Sequence, residues 1–137
     1  MRIKKIVNDL TSKYKTNNPF ELCNHLGIYV IEEDLGTING YFNEVLGIQF
    51  IHINSELYNE ERRNFVVAHE LGHAILHPNF NYNFLKTYTL YNIDKCEKEA
   101  NKFAFYLIAN KEMNLSSPED YKAYLEWSEQ NGISECS

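Results

Sequence analysis

The sequence predicts an α+β fold, and three observations carry that reading. Two runs with helical periodicity open the chain, β-branched and aromatic residues dominate between Ile28 and Ile53, and further helical runs follow. Elements grouped in this way, helices then strands then helices, belong to α+β architectures rather than to alternating α/β ones. At 137 residues the chain has the size of one domain with one hydrophobic core.

Ile3, Ile6, Val7, Leu10 and Tyr14 recur at helical spacing and give a first amphipathic helix. Asn18 suits the cap of a short second helix, with Pro19 at its first position, Glu21 at the capping-box position and Gly27 as its stop. Ile28 to Glu33 reads as a strand. Gly36 to Gly40 is turn material, and Gly40 to Asn43 and Leu46 to Ile53 read as two further strands around a hairpin turn near Asn43-Glu44. Ile48 to Ile53 alternates only in part, as a strand buried on both faces would. Asn59 then caps a strong helix, with Glu60 and Glu61 in the first turn where the helix dipole favours them. That helix runs to about His77 and stops at Pro78. Residues 78–93 read as a loop rich in Asn and Tyr, followed by a helix from about Asp94 to Ala109. Ser117-Pro118-Glu119-Asp120 starts a last helix that Gly132 ends.

Composition removes several function classes. The chain is 44% hydrophobic and 23% charged, with ten Tyr and eight Phe, which excludes bulk disorder. The longest apolar run, Phe103 to Ala109, is far short of the ~20 residues a bilayer demands. Net charge is −6 and the 13 basic residues are scattered, so direct nucleic-acid binding is disfavoured. Met1-Arg2-Ile3-Lys4-Lys5 has no apolar run behind it and does not read as a secretory signal. Cys23, Cys96 and Cys136 form no Cys-x-x-Cys pattern, and the expectation is free thiols in a reducing cytoplasm.

The chemistry sits in His69-Glu70-Leu71-Gly72-His73, a HExxH pattern inside the strongest expected helix. Residues four apart share a helix face, so the two imidazoles can converge on one metal ion. Glu70, next to the first His, stands beside such an ion and can accept a proton from the water that zinc acidifies from a pKa of ~15.7 to ~7. Catalytic zinc usually has three protein ligands. His77 lies about 12 Å along the axis from His69, at 1.5 Å per residue, and three ligands over two full turns cannot close on one ion; it reads as a His at a helix C-terminus. His52, on the preceding strand, remains open as a ligand. Glu97 is the preferred one: it shares a helix face with Ala100, Asn101 and Ala104, while Cys96, Phe103 and Leu107 form the adjoining apolar face. The small alanines and Gly72 would let the two helices approach closely. Asn101 could then orient a ligand His. Glu99, on the far side of the helix from Glu97, reads as a solvated charge.

These residues resemble the ImmA/IrrE family of metallopeptidases, from about Pro19 to Leu107. The resemblance is carried by Pro19-Phe20-Glu21-Leu22 with Leu26-Gly27-Ile28, by Ile51-His52-Ile53-Asn54, by Phe65 to His73 continuing to Leu76-His77-Pro78, and by Glu97-Lys98-Glu99-Ala100-Asn101-Lys102-Phe103-Ala104. It implies a zincin-like fold with a small, mostly antiparallel sheet packed on helices that include the HExxH helix. It implies Zn2+ held by His69, His73 and Glu97, with Glu70 as general base. The chain then divides into an N-terminal helix (1–17), a catalytic core (18–109) and a C-terminal helical appendage (110–137). Family members often carry a Pro after the second signature, where this chain has Leu107-Ile108-Ala109-Asn110. Tyr88 and Tyr91 stand between the two signatures, and packing is the better reading of each than oxyanion stabilisation.

The activity that the resemblance implies is cleavage of a helix-turn-helix repressor in the cytoplasm, relieving repression of a phage or mobile element. The alternative is a metal-stabilised antirepressor that binds and sequesters its partner without cutting it. A third reading is a zinc hydrolase acting on a small amide or peptide.

Overall fold

A computed structural model describes residues 2–77 and 90–108, together with Lys122 and Glu126. Seven elements follow in order: α1 (Arg2–Tyr14), α2 (Pro19–Leu26), β1 (Tyr29–Glu33), β2 (Gly40–Val45), β3 (Ile48–Asn54), α3 (Glu60–Leu76) and α4 (Leu90–Ile108). The α+β class stands. No helix among the described residues is long and apolar enough to cross a membrane. The expected last helix and the C-terminal appendage lie outside the described residues apart from Lys122 and Glu126, and Cys136 also falls outside them.

The helix ends follow local chemistry. Asn18 Oδ1 accepts from the Phe20 and Glu21 amides at 2.9 and 3.3 Å, and Gly27 closes α2 in the left-handed region at φ 74°. The expected capping box is rerouted. Glu21 does not reach back to the Asn18 amide; that amide donates to Thr16 Oγ1 at 3.1 Å, and the Thr16 hydroxyl donates to Glu21 at 2.7 Å. Asn59 caps α3 through the Arg62 amide at 2.9 Å. α4 begins at Leu90, four residues before the expected Asp94, so the end of the expected loop is helical.

The sheet corrects three expectations. Its order is β1-β3-β2, with β1 parallel and β2 antiparallel to β3, so it is mixed rather than mostly antiparallel. The hairpin turn is at Leu46-Gly47, with φ 52° and 82°; Asn43 and Glu44 are paired inside the strand with Phe50 and Gln49. Positive φ at both central residues makes the tight turn that matches strand twist, and Gly47 supplies it without steric cost. Finally, β3 is not buried on both faces. Ile51 and Ile53 are fully buried, while Phe50 and His52 face the other side among Tyr29 and Tyr41.

α3 is the centre of the molecule. Ten consecutive residues, Phe65 to Ala74, are buried, as in a helix enclosed on all sides. It packs on the sheet, on α2 and most extensively on α4, which α1 in turn covers. Two positions show how tightly. A Cβ on Gly40 would lie 2.7 Å from both the His52 carbonyl oxygen and Val66 Cγ1, so a glycine is required where β2 passes under α3. Asn54, buried at the end of β3, fixes the β1–β2 connection: its side-chain amide donates to the Gly36 and Ile38 carbonyls, both at 2.9 Å.

Gly40→Ala is expected to destabilise the protein by about 3 kcal/mol, because the obstacle is backbone as well as side chain; urea denaturation measures it, and an unchanged midpoint would contradict the packing. Burial pushes the Cys23 thiol up to about 12. Iodoacetamide at pH 8 is therefore expected to leave Cys23 unmodified in the native protein and to modify it in urea, as read by peptide mass mapping.

Candidate metal centre

His69 and His73 lie one turn apart on the buried stretch of α3, and α4 crosses in front of them with Glu97. The helices come close because Phe103 of α4 lies on Gly72: a Cβ there would stand 3.1 Å from Phe103 Cβ. Ala100 and Ala104 are fully buried alongside. The expected close approach is present, with Phe103 rather than an alanine resting on the glycine.

Across this seam His73 Nε2 is 2.7 Å from Glu97 Oε1, His69 Nε2 is 3.3 Å from Glu97 Oε2, and the two Nε2 atoms are 3.2 Å apart. Tetrahedral zinc with bonds of 2.0–2.1 Å sets its ligand atoms about 3.3–3.4 Å from one another. The spacing of the two Nε2 atoms is close to this, and each faces a different oxygen of Glu97, His69 at 3.3 Å and His73 at 2.7 Å, the latter the length of a hydrogen bond that an ion would replace. Two imidazoles and one carboxylate are also a usual donor set for catalytic zinc. By geometry and by chemistry these three side chains fit a metal ion.

The charges around the seam are strongly perturbed. Burial works to raise the Glu97 pKa, but hydrogen bonds from His69 and His73 outweigh it and hold the carboxyl at about 2. Burial pushes the His73 imidazole down to about 4 against the pull of Glu97. At His69 burial also works downward, and Glu97, Glu70 and Asn101 overcome it, so its pKa is raised. Glu70 is buried beside His69, and desolvation pushes its carboxyl up to about 7. Among the described residues no hydrogen bond ends on that carboxylate, so it is left as a desolvated proton acceptor.

Each His of the pair has its second nitrogen occupied. His69 Nδ1 lies 2.7 Å from Asn101 Oδ1, which must accept, so the proton sits on Nδ1 and Nε2 is left for the seam. His73 Nδ1 faces His77 Nδ1 at 3.2 Å. His77 Nε2 donates to Glu99 Oε1 at 2.8 Å, and Arg2 donates to Glu99 Oε2 at 3.1 Å. Glu99 is thus an internal partner and not a solvated charge, its pKa held down by His77 and Arg2 against the effect of burial. His77 is also more than a helix-end charge. The signal was in the sequence: His77 follows His73 by one turn, as His73 follows His69. His52 is not brought to the seam. It sits on the far face of the sheet, between Glu33 Oε1 at 2.6 Å and Asn43 Oδ1 at 2.9 Å, stacked on Tyr41. The Tyr88 and Tyr91 side chains lie outside what the structure describes.

Asn101→Ala is expected to free the His69 ring and weaken zinc binding about 10–100-fold, with Asn101→Asp, which keeps an acceptor, closer to the parent. Competition with a chromophoric chelator measures both.

Residues 23–135 match the IrrE N-terminal-like domain family, peptidase M78. The chain is 47% identical over 107 residues to a phage protein, "Uncharacterized immunity region protein 2" of Bacillus phage phi105, covering 77% of this chain and 67% of that one. It is 35% identical over 113 residues to "Metallopeptidase ImmA" of Bacillus subtilis (strain 168), covering 81% of this chain and 65% of that one. The chain thus spans about two thirds of the length of the curated relatives it matches. On the family match and on these identities, the chain belongs to the IrrE N-terminal-like domain family of metallopeptidases.

Proposed function

We propose that the chain is a cytoplasmic zinc endopeptidase that cleaves a helix-turn-helix repressor of the phage or mobile element carrying it. His69, His73 and Glu97 hold the ion, and Glu70 is the general base. The observation that carries this is the convergence of two buried Nε2 atoms and one half-buried carboxylate, with the Glu70 carboxylate beside them accepting no hydrogen bond among the described residues. Kinship with a protein named for a phage immunity region, and with one named ImmA metallopeptidase, supports the substrate class.

Zinc bound here would supply a Lewis acid that polarises the scissile carbonyl and acidifies a water. Glu70 takes the proton of the attacking water and passes it to the departing amine nitrogen. Its dry surroundings keep the proton affinity of the carboxylate high enough for that transfer. Asn101 holds the His69 ring with Nε2 toward the seam. An extended substrate segment can pair with an edge of the sheet, whose outer strands are β1 and β2.

The test is to mix zinc-loaded protein with the repressor encoded beside it and read intact masses. One new cut is expected. Glu70→Gln is expected to lower the cleavage rate at least about 100-fold while zinc affinity persists. Chelation of the metal is expected to abolish cleavage and added zinc to restore it. A stable complex without a cut, unchanged in Glu70→Gln, would instead favour sequestration; cleavage by Glu70→Gln at the parent rate would overturn the mechanism.

A further inference from the structure

Once His73 holds a cation through Nε2, the contacts behind it take one direction. A histidine that holds a cation through Nε2 carries its proton on Nδ1. His73 Nδ1 faces His77 Nδ1 at 3.2 Å, and two protonated nitrogens cannot share that contact. His77 Nδ1 must therefore accept, which puts the His77 proton on Nε2. That nitrogen is 2.8 Å from Glu99 Oε1, which can only accept when ionised. Glu99 Oε2 in turn receives Arg2 at 3.1 Å. With a cation on His73 Nε2, every donor of this chain of contacts meets an acceptor.

The main chain holds the same residues. The His77 amide donates to the His73 carbonyl at 2.8 Å, at the end of α3. The side chains of His73 and His77 are 1% and 9% exposed, so neither ring has bulk water to fall back on. Arg2 is 61% exposed, and its contribution is correspondingly small. We propose that His77 and Glu99 are positioning residues: they fix the tautomer and orientation of His73 and so raise the affinity of the seam for its ion. This rests on the ligand set proposed above.

One rival uses the same atoms. His77, Cys96 and Glu99 offer ligand atoms all within 4.8 Å of one another and could themselves hold an ion. An ion on His77 Nε2 would place a proton on its Nδ1, against the Nδ1 proton of His73. The relay and a second ion at His77 therefore exclude each other while His73 binds through Nε2.

The experiment measures zinc stoichiometry and affinity by chelator competition, with circular dichroism to check folding. One zinc per chain is expected. His77→Phe keeps an aromatic ring but has no acceptor, and is expected to weaken zinc about 10–100-fold. His77→Gln restores an acceptor and is expected to recover part of that loss; Glu99→Gln falls between His77→Phe and the parent. Nitrogen NMR of the zinc-loaded protein is expected to show a slowly exchanging proton on His73 Nδ1 that His77→Phe loses. Parent-like affinity and an unchanged His73 signal in both His77 variants would overturn the relay. So would a second zinc per chain that Cys96→Ser removes. Zinc retained by His73→Ala would instead overturn the ligand set, which keeps the two failures distinguishable.

Discussion

The approach of two helices is the constraint on which the rest depends. Glu97 reaches the His69–His73 pair only because α4 lies almost directly on α3, and it does so through the missing side chain of Gly72 and the fully buried Phe103, Ala100 and Ala104. A glycine inside a helix costs about 1 kcal/mol relative to alanine. Here the cost is offset by contact, since a Cβ at that position would stand 3.1–3.2 Å from Phe103 and force it to give way by a few tenths of an ångström. The same helix is clamped from the opposite side by the sheet, where Gly40 lets β2 pass beneath Val66. Two glycines on opposite sides of α3 thus set where its histidines stand.

Burial explains why the cluster is chemically poised. Three carboxylates, Glu70, Glu97 and Glu99, and three imidazoles, His69, His73 and His77, share a region in which Glu70, His69 and His73 are buried and the other three half-buried. Desolvation penalises each charge, and pairing relieves it unevenly. Glu97 receives two imidazoles and stays ionised; Glu99 receives His77 and Arg2; Glu70 receives no hydrogen bond among the described residues and is pushed upward. One carboxylate is left as an acceptor while the other two are committed to holding rings in place. That division of labour arises from position alone, since all three side chains are identical.

Much of this was legible in the sequence, for physical reasons. Caps at Asn18 and Asn59 and the stop at Gly27 are local events, and residues within four positions decide them. The His69–His73 spacing is a property of any helix. The Glu97 face could be read because small residues at positions 100 and 104 mark close packing. What was not legible depended on competition or on distance. Leu46-Gly47 took the hairpin turn from Asn43-Glu44 because Gly47 adopts positive φ more cheaply, and strand pairing then drew Asn43 and Glu44 inside. The parallel pairing of β1 rests on a crossover that no local pattern reports. Glu99 looked solvated because its partners, His77 and Arg2, lie 22 and 97 residues away. His52 stayed open as a ligand until the sheet showed which face it occupies.

Two imidazoles and a carboxylate, with no sulfur, would form one metal centre between α3 and α4. X-ray absorption at the zinc edge on the one-to-one complex tests it most directly. Such a centre is expected to show nitrogen and oxygen scatterers at about 2.0–2.1 Å, with the outer-shell pattern of two imidazoles and four-coordinate geometry. A sulfur scatterer at about 2.3 Å would place the ion on Cys96 instead, and the pattern of one imidazole or none would break up the seam as the binding site.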